Sequence, residues 1–390
     1  MIARRTVICL GLSQLINWGV SYYLIGIFGE PIAAEMNWSR PLVYGGFSAA
    51  LVVMGVSSPL TGSFIDRYGG KRIMVVGSLL TAFGCATLAV AHDIAIYYVA
   101  WLCLGLAMRL TLYEAAFASL ARMGGPQARR PIAQVTLFGG LASSTFWPIG
   151  QALADSVGWR GAVLVYAGLA LLTIPLHLAI PDTRFESRHE DADTKPGASA
   201  LKRDQIVAAS LYTTIATLAS FLNSGMSAHM IPILAGLGVA ASLSVWIATL
   251  RGIGQSLARL TDVLFGGGLH PLQLNLIAAL ILPIAFAAGL LSGNFLIAAI
   301  AFAFGYGAGN GIVTITRGTM PLVLFDIRSY GAVTGRLLVP SFLLAALAPM
   351  GYALVIEHYG ETGALIFSFV LAALLLAASL ALSALFRPRD

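Results

Sequence analysis

The chain has 390 residues, 58% of them hydrophobic and only 10% charged, with a net charge of +6 and a mean hydropathy of +0.84. Soluble globular domains carry about a quarter of their residues as charges, so water is excluded as the main solvent. The basic excess does not point to nucleic acid either, because no soluble domain gathers it.

A helix crosses a hydrocarbon core of roughly 30 Å with about 20 mostly apolar residues. On that measure the first half holds six predicted spans, at 6–28, 41–64, 73–90, 94–120, 131–154 and 161–180. Arg4 and Arg5 precede the first, which is too long for the apolar stretch of a cleaved signal and ends in no cleavage site. It is expected to be retained. The segment 181–205 carries Arg184, Glu186, Arg188, Glu190, Asp191, Asp193, Lys195, Lys202 and Arg203, a charge density that predicts a solvated linker. Six further spans follow, at 206–229, 240–265, 271–291, 295–323, 331–356 and 363–386. The expectation is an all-α polytopic membrane protein of twelve transmembrane helices: a six-helix bundle at 1–180, a linker at 181–205 and a second six-helix bundle at 206–390.

With the N-terminus inside, the inner segments hold Arg4, Arg5, Arg67, Lys71, Arg72, Arg122, Arg129, Arg130, Arg328, Arg387 and Arg389 besides the linker's basic residues, whereas the outer loops hold only Arg40 and Arg160. Basic residues concentrate on the cytoplasmic side. Both termini and the linker are therefore expected in the cytoplasm of a bacterial-type inner membrane. Cys9, Cys85 and Cys103 lie in apolar runs at spacings that fit neither disulfides nor zinc, and the six histidines are scattered, so no metal, cofactor or enzymatic site is expected.

The two halves repeat. Pro148-Ile-Gly-Gln-Ala-Leu153 of span five answers to Pro349-Met-Gly-Tyr-Ala-Leu354 of span eleven, an offset of 201, and nearly the same offset relates Gly105 to Gly305 and Asp66 to Asp262. Parallel six-helix repeats are a transporter architecture with the solute site between the halves.

Between spans two and three stands Gly62-Ser-Phe-Ile-Asp66-Arg67-Tyr-Gly69-Gly-Lys71-Arg72. It resembles the G-x-x-x-D-R-x-G-x-[RK]-[RK] loop of the major facilitator superfamily. That resemblance implies a conformational latch made by Gly62, Asp66, Arg67, Gly69, Lys71 and Arg72, holding one of two access states. A finer resemblance, to the monocarboxylate and oxalate/formate branch, rests on Gly139–Pro148 with Gly158-Trp159-Arg160 and on Arg259 of span eight. The chain departs from that branch in having Gln255 where monocarboxylate carriers place an acid, and in lacking lysines in spans one and eleven.

Charge inside a bilayer is expensive and usually faces a cavity or a partner. Arg109 and Glu114 lie in span four, Arg251 and Arg259 in span eight, Arg317 in span ten and Arg336 a turn or two inside span eleven. Arg251, Gln255, Arg259 and Asp262 recur at helical spacing and form one stripe, expected to line the cavity or pack on another span. Arg109, Arg251, Gln255, Arg259, Asn17 and Tyr22 are the expected solute contacts. Glu114 is either the proton carrier or half of a fixed salt bridge with another span. Arg317 aligns by the repeat with Phe117 and is expected to snorkel to the inner surface. The excess of arginine favours an anion, since a guanidinium fork fits a carboxylate. In span ten, Gly305-Tyr-Gly-Ala-Gly-Asn-Gly311 follows no strand, so it reads as a close helix crossing rather than a dinucleotide loop.

The expected activity is secondary transport of a small organic anion by alternating access, with protons as the candidate coupling ion, in a monomer whose partners are solute and lipid. Export of a toxic neutral or arsenite-like species is the alternative within transport, and a carrier-fold sensor the alternative outside it. No G-x-x-x-x-G-K-[ST] phosphate loop is present to use ATP.

Overall fold

A computed structural model describes residues 2–185, 203–266 and 269–386. Most of the expected linker, 186–202, lies outside these residues, as do Arg387 and Arg389. Regular structure among the described residues is helical throughout. Eight helical stretches are long and apolar enough to cross a membrane, and two of them, Ile94–Leu178 and Ile327–Leu385, run for 85 and 59 residues, far more than one crossing needs.

The first group of helices comprises α1 (Arg4–Asn17), a π-helical turn at Trp18–Tyr22, α2 (Leu24–Met36), α3 (Arg40–Tyr68), α4 (Gly70–Ala89), α5 (Ile94–Thr111), α6 (Tyr113–Gly124), α7 (Arg129–Gly140) and α8 (Ala142–Leu178). The second comprises α9 (Arg203–Gly236), α10 (Ala241–Phe265), α11 (Pro271–Gly289), α12 (Leu296–Thr319), α13 (Pro321–Leu324), α14 (Tyr330–Leu337) and α15 (Val339–Leu385). Within the first group α4 packs on α5 and α8, α3 on α5, and α1 on α7 and α8; within the second α15 packs on α9 and α11, and α12 on α10 and α11. The groups meet where α14 and α15 lie on α3 and where α10 and α12 lie on α7. Arg203, Asp204 and Gln205, expected at the end of the linker, instead form the first turn of α9.

The breaks are as informative as the helices. Span four is interrupted at Leu112, whose backbone is extended (φ −79°, ψ −168°), so Arg109 and Glu114 stand on different helices, α5 and α6. Leu141 separates α7 from α8 and Leu338 separates α14 from α15, with nearly identical dihedrals (φ −83°, ψ −7° and φ −90°, ψ −4°). Further on, α8 and α15 each turn back at a glycine: Gly158 (φ 71°, ψ 166°) and Gly360 (φ 69°, ψ −176°). Side chains rarely tolerate that region of backbone space, so glycine is required at both corners. The corners are 202 positions apart, close to the offset of the sequence repeat.

At the Gly158 corner, Trp159 Nε1 donates to Glu35 at 2.5 Å, and Arg160 pairs with the same carboxylate at 2.8 Å while donating to the Ala89 carbonyl at 2.6 Å. Arg160 also lies over the Trp159 ring, 4.4 Å from its centroid. These bonds tie the ends of α2, α4 and the turned-back part of α8 at the end of the bundle remote from Asp66.

Added methyl groups at Gly158, Gly360 and Gly168 would all meet open space, but only the first two glycines have positive φ. Gly158→Ala and Gly360→Ala are each expected to lower stability by about 1–3 kcal/mol through the backbone alone. Gly168→Ala, within a regular helix, is expected to leave it unchanged or slightly higher. Thermal unfolding of the three variants in detergent checks this, and an equal loss in all three would refute the backbone origin.

Candidate functional site

The superfamily-like loop sits where the two groups of helices meet. Asp66, at the end of α3, accepts hydrogen bonds from the backbone N–H of Gly331 (2.9 Å) and Ala332 (2.7 Å) in the first turn of α14. The first turn of a helix has unsatisfied N–H groups and a partial positive charge, so a carboxylate is the natural partner. The contact is possible because both backbones are bare: an added Cβ on Gly62 would strike the Gly331 carbonyl, and one on Gly331 would strike Gly62 and the Asp66 carboxylate. Arg122 donates to the Asp66 carbonyl at 3.2 Å and pairs with Asp182 at 3.2 Å. Arg67 lies over the Tyr68 ring, 5.1 Å from its centroid, and Gly69 turns the chain into α4, whose first turn holds Lys71 and Arg72.

Deeper in, Glu114 of α6 forms an ion pair with Arg317 of α12, across the two groups. This corrects the expectation that Arg317 snorkels to the surface. α12 continues helical to Thr319, and the break at Leu112 turns Glu114 out of line with Arg109, toward the other group. Arg317 also donates to Ser220 at 3.3 Å, and its carbonyl accepts from the Tyr212 hydroxyl at 2.8 Å. Tyr330, the residue before Gly331, donates to the Gly318 carbonyl at 2.7 Å. A crevice lined by Glu114, Arg317, Tyr212, Tyr330 and Thr334 therefore lies beside the Asp66 contact.

The stripe on α10 also faces the interface. Arg259, 3% exposed, donates to the Thr136 carbonyl of α7 at 3.2 Å, and Tyr113 donates to the same carbonyl at 3.0 Å. Arg251 donates to Asn223 Oδ1 (2.7 Å) and Ser227 Oγ (2.9 Å) of α9, lies over the Tyr306 ring, and shares Asn223 with Asn310 of α12 (2.9 Å). Bare glycines fix this register: Gly307 and Gly311 of α12 lie against the backbones of Arg251 and Gln255. The Gln255 amide has no hydrogen-bond partner among the described residues and is only half-buried. Asp262, the repeat counterpart of Asp66, makes no hydrogen bond there, while Arg129 of α7 donates to the Gly266 carbonyl at 3.0 Å.

Two expected solute contacts are not presented to an opening. Arg109 is 1% exposed and held within the first group by Ser58, through Nε to the hydroxyl at 2.8 Å and Nη2 to the carbonyl at 3.3 Å. Asn17 is fully buried, and both its amide atoms are unpaired among the described residues. Tight packing of α3 on α5 and of α1 on α7 accounts for the burial. Tyr22 is half-buried in the π-helical turn, within electrostatic reach of Arg251 and Arg317 across the interface. Sequence reasoning missed the roles of Asn223, Ser227 and Asn310, whose only signal was polarity in apolar runs.

Comparison with known proteins places these contacts in a family. The family profile described as "Major Facilitator Superfamily" matches residues 10–349. Among curated proteins, monocarboxylate transporter 1 of Bos taurus is 28% identical over 167 residues, covering 41% of this chain and 32% of that protein. Monocarboxylate transporter 3 of Rattus norvegicus is 30% identical over 128 residues, covering 32% and 25%. The chain thus spans about a third or less of the length of these relatives. Among solved structures, the human organic anion transporter MFSD10 (TETRAN) superposes with a TM-score of 0.72 at 16% identity, covering 96% of this chain and 99% of that one. The proton:xylose symporter XylE gives a TM-score of 0.72 at 11% identity, covering 96% and 94%. With its profile match, its helical fold and its Asp66 loop in agreement, the chain belongs to the major facilitator superfamily.

Proposed function

We propose that this chain is a secondary transporter that moves a small carboxylate-like organic anion across the inner membrane by alternating access, through twelve crossings in two six-helix halves, with both termini cytoplasmic. The observation that carries the reading is the charge balance at the interface. Arg251, Arg259 and Arg317 stand there from the second half, and among the described residues Glu114 is the one acid paired with any of them. A guanidinium in a low-dielectric cavity needs an anionic or well-bonded partner, and the surplus supplies the attraction for one. Arg251, with Gln255 and Tyr22 beside it, makes the direct contact; Arg259 and Arg109 are held by protein carbonyl or hydroxyl groups and set the field. The likeness to monocarboxylate transporters and to a human organic anion transporter supports the same solute class.

The hydrogen bonds and ion pair between the halves run from Glu114, in the first turn of α6, to the Asp66 end. On the positive-inside orientation this is a conformation closed toward the cytoplasm. Asp66 is the latch, with Gly62 permitting the contact and Arg67, Gly69, Lys71 and Arg72 anchoring its loop. Glu114 couples closure to protonation: neutralising it releases Arg317 and removes one bond holding the halves together.

Three results are expected. In proteoliposomes tested against short carboxylates, phosphate and uncharged drugs, a carboxylate is taken up, and Arg251→Gln raises its half-saturating concentration at least about tenfold, with Arg251→Lys between; uptake of an uncharged drug alone would sink the anion reading. An inward proton gradient accelerates uptake by the wild type, whereas Glu114→Gln keeps solute exchange but loses the response; loss of exchange together with stability would make the pair purely structural. Asp66→Ala exposes the closed end, so a cysteine placed at buried Thr334, with Cys9, Cys85 and Cys103 replaced by serine, reacts several-fold faster with a polar maleimide; an unchanged rate would remove Asp66 as the latch.

A further inference from the structure

The half of the interface that faces the arginines is aromatic. Span one leaves α-helical geometry at Trp18–Tyr22, where the Tyr23 N–H bonds back to the Trp18 carbonyl at 3.0 Å. Such π-helical turns recur at functional sites because they re-aim side chains. Here the turn gathers three rings of one segment, tilted against one another, with centroids 4.8 Å apart for Trp18 and Tyr22 and 5.9 Å for Trp18 and Tyr23. Rings from other helices extend the cluster: Tyr113 of α6 lies 4.9 Å from Trp18, Phe47 of α3 lies 5.0 Å from Tyr22, and Trp147 of α8 lies 6.1 Å from Tyr23.

This cluster is not a closed core. Trp18, Tyr22 and Tyr23 are only half-buried, and Trp147 is 51% exposed. The Tyr22 hydroxyl makes no hydrogen bond among the described residues, and the Trp18 indole N–H, although buried, is unpaired there. Across the interface stand Arg251, fixed by Asn223 and Ser227, and Arg317, both near enough for their charges to act on Tyr22. One wall thus offers ring faces and the other offers guanidinium and amide donors.

We propose that the transported anion is amphipathic, with a planar aromatic body seated against Trp18 and Tyr22 and a carboxylate held by Arg251 beside Asn223. The inference rests on the anion reading above and narrows it to aromatic monocarboxylates. Short hydrophilic acids would leave the ring wall in contact with water, and dicarboxylates would have to strip water from a second charge against ring faces.

The test is thermal unfolding of the full-length chain in detergent, titrated with phenylacetate, acetate, oxalate and phenylacetamide. Phenylacetate is expected to reach its half-maximal stabilisation at a concentration at least about tenfold below those of acetate and oxalate, with no shift from phenylacetamide. Trp18→Leu is expected to bring the phenylacetate requirement close to that of acetate while leaving acetate's unchanged, and Arg251→Gln to weaken both acids together. The wild-type series decides the matter even where Trp18→Leu does not fold. Acetate or oxalate acting at the same or lower concentration overturns the aromatic inference and leaves the anion reading standing. Phenylacetamide acting as well as phenylacetate overturns the anion reading, and the inference with it. No shift from any of the acids overturns both.

Discussion

The structure turns on one constraint: an ionised side chain at bilayer depth must find a partner inside the protein or face an aqueous cavity. Three intramembrane arginines meet that condition in different ways. Arg109 uses Ser58 within its own half, Arg259 reaches a carbonyl of the opposite half, and Arg317 takes Glu114 from the opposite half. Partners drawn from the other half make the closed arrangement dependent on both halves staying together. Removing one member of a buried pair typically costs about 3–5 kcal/mol, because it strands the other charge. A small change at Glu114 is therefore large enough to shift a balance between two conformations.

The internal repeat supplies two nearly equivalent halves, and function lies in where they differ. The corners at Gly158 and Gly360 and the breaks at Leu141 and Leu338 are shared. The two aspartates are not used alike. Asp66 caps α14, whereas Asp262 makes no hydrogen bond among the described residues and approaches the start of α7 only through the neighbouring bond from Arg129 to Gly266. The interface is thus more heavily hydrogen-bonded on one side of the pseudo-twofold relation than on the other. Tyr330 links the Asp66 contact to the ion pair, since its hydroxyl bonds Gly318, next to Arg317, and its chain neighbour Gly331 bonds Asp66.

Much of this was legible in the sequence because it follows from local rules. Apolar run length marked most helices, and the Gly62–Arg72 loop marked the family and the meeting point of the halves. Helical spacing grouped Arg251, Gln255, Arg259 and Asp262 on one stripe of α10, from which Arg251 reaches α9 and Arg259 reaches α7. What escaped was set by breaks rather than by periodicity. Extending span four through Leu112 as a continuous helix allowed Glu114 a salt bridge to another span but did not point to α12, and so Arg317 was assigned to the surface. Asn17 and Arg109 were legible as polar residues in apolar runs, but burial depends on how closely neighbouring helices pack, which a single sequence does not encode. The π-helical turn at Trp18–Tyr22 left no mark in composition at all.

The division of labour between the walls bears on how a solute could drive the cycle. A ligand shifts an equilibrium only by its differential affinity for the two states. An acid bound by Arg251 alone would be held by the second half in every conformation and would bias none of them. An acid whose ring rests on Trp18 and Tyr22 while its carboxylate rests on Arg251 spans the two halves, and its binding is strongest when the walls approach. Such a solute favours the closed intermediate between the two access states, which is the step an empty carrier must make slowly if it is not to leak. On the proposed cycle, ring faces on one half and donors on the other would make closure depend on solute, with the Asp66 contact and the Glu114–Arg317 pair holding one side shut.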